Sequence, residues 1–290
     1  MRWTWVLFTL PALCPLPARA QSRPVWHEKR QLPSDLEIVG ELAGLPRGST
    51  RYLTREELPA LPQASYTVSD DANFTDPTQI GGVELEALLK QLCAAPEAET
   101  IIAICCDRYL APYAPAYLAA HHPVLVLTVN GQPPEAWPKA AEDHASDMGP
   151  YVISNPKFTP SFKVLAHTDE PQIPWGVVRI EFREEKAFLG AIVPQGPHAK
   201  LGAVQDGFQI DGQNCLRCQN AGEEGGRKSG VLWEALAALA ASSAGRFAAY
   251  VRAPMAQNAS AQMPGNPQYD EAALRSLSLY FQTFATPPKL

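Results

Sequence analysis

No histidine follows His198 in this 290-residue chain. The chain beyond it therefore offers no Cys/His set for a zinc site and no imidazole of its own for any metal. Basic charge is also short: 24 Lys and Arg stand against 30 Asp and Glu, a net charge of −6. With no basic stripe, nucleic acid is not expected as a partner. No apolar run beyond the first twenty residues is long enough to span a bilayer. Cysteine is sparse and, after Cys14, odd in number, which excludes a dense disulfide framework. Gly-x-Ser-x-Gly, P-loop and dinucleotide fingerprints are all missing, so none of the chemistries they carry is indicated.

Proline, by contrast, is abundant at 28 residues, which favours turns and extended connections over a helical bundle. Arg2, the apolar stretch through Leu13 and the small-x-small end Ala18-Arg19-Ala20 read as a secretory signal over residues 1–20. The expectation is a mature chain that begins at Gln21, lies in the periplasm or is otherwise exported, and has no membrane span.

The densest chemistry lies in Asn214-Cys215-Leu216-Arg217-Cys218-Gln219-Asn220. Cys-x-x-Cys-His attaches haem c, the thiols adding to the porphyrin vinyl groups and the imidazole reaching the iron. Here Gln219 occupies the histidine position. Other readings of Cys215 and Cys218 are a zinc half-site, a thioredoxin-like redox pair and a haem-free fold closed by a disulfide. The first lacks further ligands, and the second lacks the strand-to-helix context.

Downstream come Glu223-Glu224-Gly225-Gly226-Arg227, a helical pattern around Trp233, Leu236 and Leu239, and a second with Phe247, Tyr250 and Val251. Pro254 closes it, Gln262-Met263-Pro264-Gly265-Asn266-Pro267 forms a loop, and a last helix runs from about Asp270 to Phe284. From about Gln205 this resembles a small class I cytochrome c. The resemblance implies an all-α domain over 205–290, with Cys215 and Cys218 tethering haem c and Met263 giving sulfur to the iron. It also implies a last helix, with Tyr280 and Phe281, packed on the first, and a redox protein as partner.

Residues 21–194 alternate short strands and helices and read as a separate α+β domain, with 195–204 as a turn-rich linker. Leu36–Gly40, Ala64–Val68, Ile101–Cys106, Val124–Val129 and Val177–Phe182 are the predicted strands. Val83, Leu85, Leu88, Leu89 and Leu92 mark an amphipathic helix, and Thr54–Leu61 a short one. Further markers are Leu53 to Pro62, Gly82 to Leu89, Asp107-Arg108-Tyr109, Leu127 to Pro133 and Gly149-Pro150-Tyr151. Together these resemble a shortened molybdopterin-binding domain of the sulfite oxidase family over about 35–190. In that family a cysteine thiolate binds molybdenum. Cys105 and Cys106 are the candidates here, but neighbouring strand positions face opposite sides, so at most one reaches a pocket. The longer cofactor-binding sections are missing, and molybdopterin is not expected.

His121 and His122 are read as ending a helix, His167 with Asp169 and Glu170 as a solvated turn, and His144 as part of an acidic surface stretch. The functional expectation is one-electron transfer through haem c. The alternatives are a haem-free binding or scaffold protein and, third, a molybdenum oxidoreductase.

Overall fold

The computed structural model describes residues 25–285 apart from 69–73, 75, 93, 138–147, 157–166 and 168. The expected signal segment and His144 lie outside these. The first part contains β1 (Leu36–Gly40), β2 (Arg51–Leu53), β3 (Ala64–Val68), β4 (Thr78–Glu84), α1 (Leu85–Gln91), β5 (Thr100–Cys105) and β6 (Leu110–Tyr113). It continues through α2 (Pro115–His121), β7 (Val124–Val129), β8 (Val152–Ser154), β9 (Val177–Arg183) and α3 (Glu185–Leu189). The second part is mainly helical: α4 (Gly202–Asn214), the hairpin β10 (Asn220–Ala221) and β11 (Glu224–Gly225), α5 (Trp233–Ser242), α6 (Ala244–Arg252), α7 (Pro254–Gln257) and α8 (Glu271–Gln282).

Two sheets frame the first part. One runs β2-β1-β9-β5-β6, with β1 parallel to β9, and the other is the antiparallel set β3-β4-β7-β8. Their facing sides enclose Leu36, Ile38, Val83, Leu88, Ile101, Leu125, Ile153 and Phe182. The strand over Thr78–Glu84 was not expected. Gly81 and Gly82 suppress its propensity, and its end, Val83, looks like the start of the helix that actually begins at Leu85. Both glycines sit close to β7: a Cβ at Gly82 would strike the Leu125 carbonyl.

β5 is apolar along its length because it is covered on both faces. Ile101, Ala103 and Cys105 face the inter-sheet core. Ile102 and Ile104, with Leu110 of β6, face a second core built from Phe188, Ile192, Val204, Ile210, Leu216, Trp233, Phe247 and the apolar side of α8. The helical part is therefore packed against the sheet. Main-chain bonds stitch the contact: Leu110 donates to the Arg217 carbonyl (2.9 Å) and Arg227 to the Arg108 carbonyl (3.0 Å). Arg183 adds a pair with Glu224 at 2.7 Å.

Candidate functional site

α4 ends where the cysteine motif begins. The Asp211 carbonyl accepts from the amides of Cys215 (2.9 Å) and Leu216 (3.0 Å), and the Cys215 carbonyl accepts from Cys218 (3.1 Å) and Gln219 (3.0 Å). These tight turns put both thiols on one side and send Leu216 and Gln219 inward, each almost fully buried. The chain then folds back: Gly226 donates to the Leu216 carbonyl and Ser229 to the Cys218 carbonyl, both at 2.8 Å. Gly225 (φ +103°) and Gly226 lie against the motif's backbone so closely that a Cβ at Gly226 would meet the Arg217 carbonyl, which explains the glycine pair.

The opposite wall comes from the loop after α7. Asn266 ties that loop to the Val251 carbonyl through its amide and its side chain (3.2 Å each), and Arg252 bonds the Tyr269 carbonyl at 3.2 Å. Cys215, Cys218, Gln219, Val251, Met263, Asn266 and Tyr269 thus line one cavity of about 50 Å³. The three residues singled out from the sequence, Cys215, Cys218 and Met263, are brought together there. In the adjoining core Trp233 and Leu236 are buried, while Phe208 and Tyr250 are half-buried beside it.

Electrostatics quiets the thiols. Burial, reinforced by the neighbouring Asp211 carboxyl, holds Cys215 well above the ordinary thiol range. Burial also raises Cys218, although Lys228 and Arg217 pull it the other way. Neither is activated as a thiolate, which counts against a thiol-exchange site. Beneath Cys215, Asp211 is fully buried and its carboxyl is pushed far above the carboxylate range by desolvation. Tyr280 donates to the Ile192 carbonyl (2.7 Å) and lies 3.3 Å from Asp211 Oδ2.

α8 crosses α4 at Gly207. A Cβ there would lie 2.6 Å from Tyr280 Cβ and overlap the Ser276 carbonyl oxygen. Tyr280 and Phe281 are the aromatic residues at this contact, and Phe281 stacks with Trp233 at 4.9 Å and Phe247 at 5.4 Å.

The other candidates separate. Cys105 is buried, its thiol raised by desolvation, and Cys106 is exposed. His122 is the left-handed cap of α2, as its position implied, but His121 is buried and bonds Asp169 at 2.8 Å. The solvated-turn reading of His167 and Glu170 is wrong. Glu170 is buried, and the His167 ring packs on Tyr269 with 4.5 Å between centroids. Asp211 and Arg217 were missed, because a lone charge on a helix or in a Cys-x-x-Cys loop ordinarily reads as solvated. Among the described residues no group of three or more His, Cys, Asp or Glu could hold a metal ion, and no helix is long and apolar enough to cross a membrane.

No protein-family model matches the chain, and no curated protein matches it. One similar solved structure is the sulfane dehydrogenase SoxCD from Paracoccus pantotrophus, at 15% identity and a TM-score of 0.36. The alignment covers 57% of this chain and 43% of that one, so the chain spans less than half of that protein.

Proposed function

We propose that this chain is an exported electron-transfer protein in which Cys215 and Cys218 tether a haem and Met263 supplies sulfur to its iron. The observation that carries the reading is that Met263, remote in sequence, shares a cavity with both thiols and Gln219. The donor set fits the group: two thiols adjoin each other at a helix end, a thioether stands in the facing loop, and the amide of Gln219 is buried with neither Oε1 nor Nε2 bonded. A buried, unpaired amide costs about 1–3 kcal/mol, so this one calls for a partner inside the cavity. The crossing of α8 over α4 at Gly207 supports the same reading.

When bound, haem supplies a one-electron iron couple. The chain's own residues position and insulate. Leu216 and the Trp233–Phe281 stack keep water from the inner side, and the hydrogen bonds of Asn266 and Arg252 set the Met263 loop. Gln219 offers an amide oxygen where nitrogen is usual, a weaker donor to iron. The observed cavity falls short of the roughly 300 Å³ of a small-ligand site. Attachment therefore requires the loop to move outward, and Pro264, Gly265, Pro267 and Gln268 are exposed along it.

That small volume, with Gln219, favours a second reading: a haem-free fold whose two thiols form a disulfide and whose role is interaction. Expression of the full chain in a host with haem c maturation, followed by haem staining and an absorption spectrum, separates the two. A Soret band that survives denaturation supports electron transfer. A folded, exported chain without it, even as Gln219→His, supports the interaction protein.

A further inference from the structure

We propose that the cavity enclosed by α2, α3, α4 and the start of β5 binds a small organic amine, its carbon body on Phe188 and Phe208 and its ammonium on Glu185 and the Thr100 hydroxyl. The cavity measures about 390 Å³, within the range of small-ligand sites. Neither Cys215 nor Met263 lines it, so the inference is independent of any haem. The space exists because the facing elements carry small residues there, Ala114 and Ala116 at the start of α2 and Gly212 on α4. Even a Cβ at Gly212 would make only ordinary contacts, with Ile192 and Leu189. Phe188 is buried and Phe208 half-buried, which gives a ligand's carbon body an apolar wall on either side.

Two polar groups set the chemistry of the occupant. Glu185, half-buried in the first turn of α3, is the one charged residue in the lining among the described residues. It has no ion pair or hydrogen bond among them, and Glu99 adds negative charge beside it. Burial and that second charge together raise the Glu185 carboxyl, with no cation to offset them. Thr100 is the independent sign. Strand alternation puts it on the face of Ile102 and Ile104, toward the helical part. It is 1% exposed, and its Oγ1 has no hydrogen-bond partner, whereas a buried hydroxyl is ordinarily bonded. Carboxylate and hydroxyl both accept from N–H donors, so an ammonium satisfies the two at once. An oxyanion would meet Glu185 with like charge. A metal ion would find too few ligands, since no group of three His, Cys, Asp or Glu exists among the described residues.

Isothermal titration calorimetry of the full-length chain at neutral pH, with 2-phenylethylamine, 2-phenylethanol and 3-phenylpropionate as probes, tests the site. The expected result is saturable binding of one amine per chain, about tenfold tighter than the alcohol, and no binding of the carboxylate. Glu185→Gln should bring the amine to the alcohol's affinity and leave the alcohol unchanged, an effect that a mere helix-end role for Glu185 would not produce. Thr100→Val keeps the shape and should weaken the amine about fivefold. Ala116→Phe, on the exposed side of the cavity, should weaken amine and alcohol alike. The proposal fails if the amine does not saturate, if the alcohol binds as well, or if the amine keeps its advantage in Glu185→Gln. It fails equally if Thr100→Val or Ala116→Phe binds the amine as the wild type does. If Thr100→Val does not fold, the wild-type preference and the other two variants decide. No readout involves haem: amine binding by a chain without a Soret band upholds this site and removes only the electron-transfer reading.

Discussion

Replacing Gly207 with alanine perturbs the α4–α8 crossing, and the structure fixes the sign. The added Cβ would sit 2.6 Å from Tyr280 Cβ and overlap the Ser276 carbonyl, both in the packed face of α8. The backbone of α8 cannot retreat without disturbing Tyr280, whose hydroxyl is anchored to the Ile192 carbonyl at 2.7 Å. Overpacking of this kind costs about 1–3 kcal/mol, while alanine in a helix interior returns about 0.5–1 kcal/mol. The net loss of about 1–2 kcal/mol lowers Tm by about 3–6 °C in a chain of this size. Gly212, on the same helix, is the control. A Cβ there finds only Ile192 Cδ1 at 3.7 Å and Leu189 Cδ2 at 3.8 Å, ordinary contacts. Gly212→Ala should therefore stabilise by about 0.5–1 kcal/mol. Urea and thermal unfolding of the two variants beside the wild type give both numbers. Equal behaviour of the two substitutions, or a more stable Gly207→Ala, would refute the tight crossing.

Asp211 binds its proton more tightly folded than unfolded, because desolvation raises its carboxyl. The stability this gives is complete below the ordinary carboxylate range and declines as pH rises toward the folded value. Urea midpoints between pH 4 and 8 should show that decline, and Asp211→Asn should flatten it. Purified chain should carry no stoichiometric molybdenum by elemental analysis, since Cys105 is buried and its thiol is raised by desolvation. About one atom per chain, lost in Cys106→Ser, would overturn this. Gln219→His should raise haem incorporation and turn the ferric spectrum from high-spin toward low-spin.

Local pattern carried the elements that bury one or both faces regularly: Leu36–Gly40, Ala64–Val68, Val124–Val129 and the helix capped by Asp270, whose side chain accepts from the Ala273 amide at 2.8 Å. Leu110–Tyr113 stayed hidden because Pro112 weakens a strand signal, and the strand indeed lies at the edge of its sheet, where proline is tolerated. Pro254 announced the end of α6 but not the four-residue helix it opens. At the site, the convergence of Cys215, Cys218 and Met263 was foreseen only through a family resemblance, since no periodicity links positions so far apart. The polar contacts between distant segments were illegible: the bond of His121 to Asp169 lies within the first part and that of Arg217 to Tyr109 joins the two parts, and neither follows a local pattern. The sequence pattern of a Cys-x-x-Cys loop does not tell an inward charge from an outward one.

The most direct measurement is the intact mass of the chain exported from a host that matures c-type cytochromes. The expected species begins at Gln21 and carries one covalently added haem, placed by peptide mapping on the segment that holds Cys215 and Cys218. A chain lighter by two hydrogens, with those cysteines joined as a disulfide and no haem attached, would contradict the electron-transfer account.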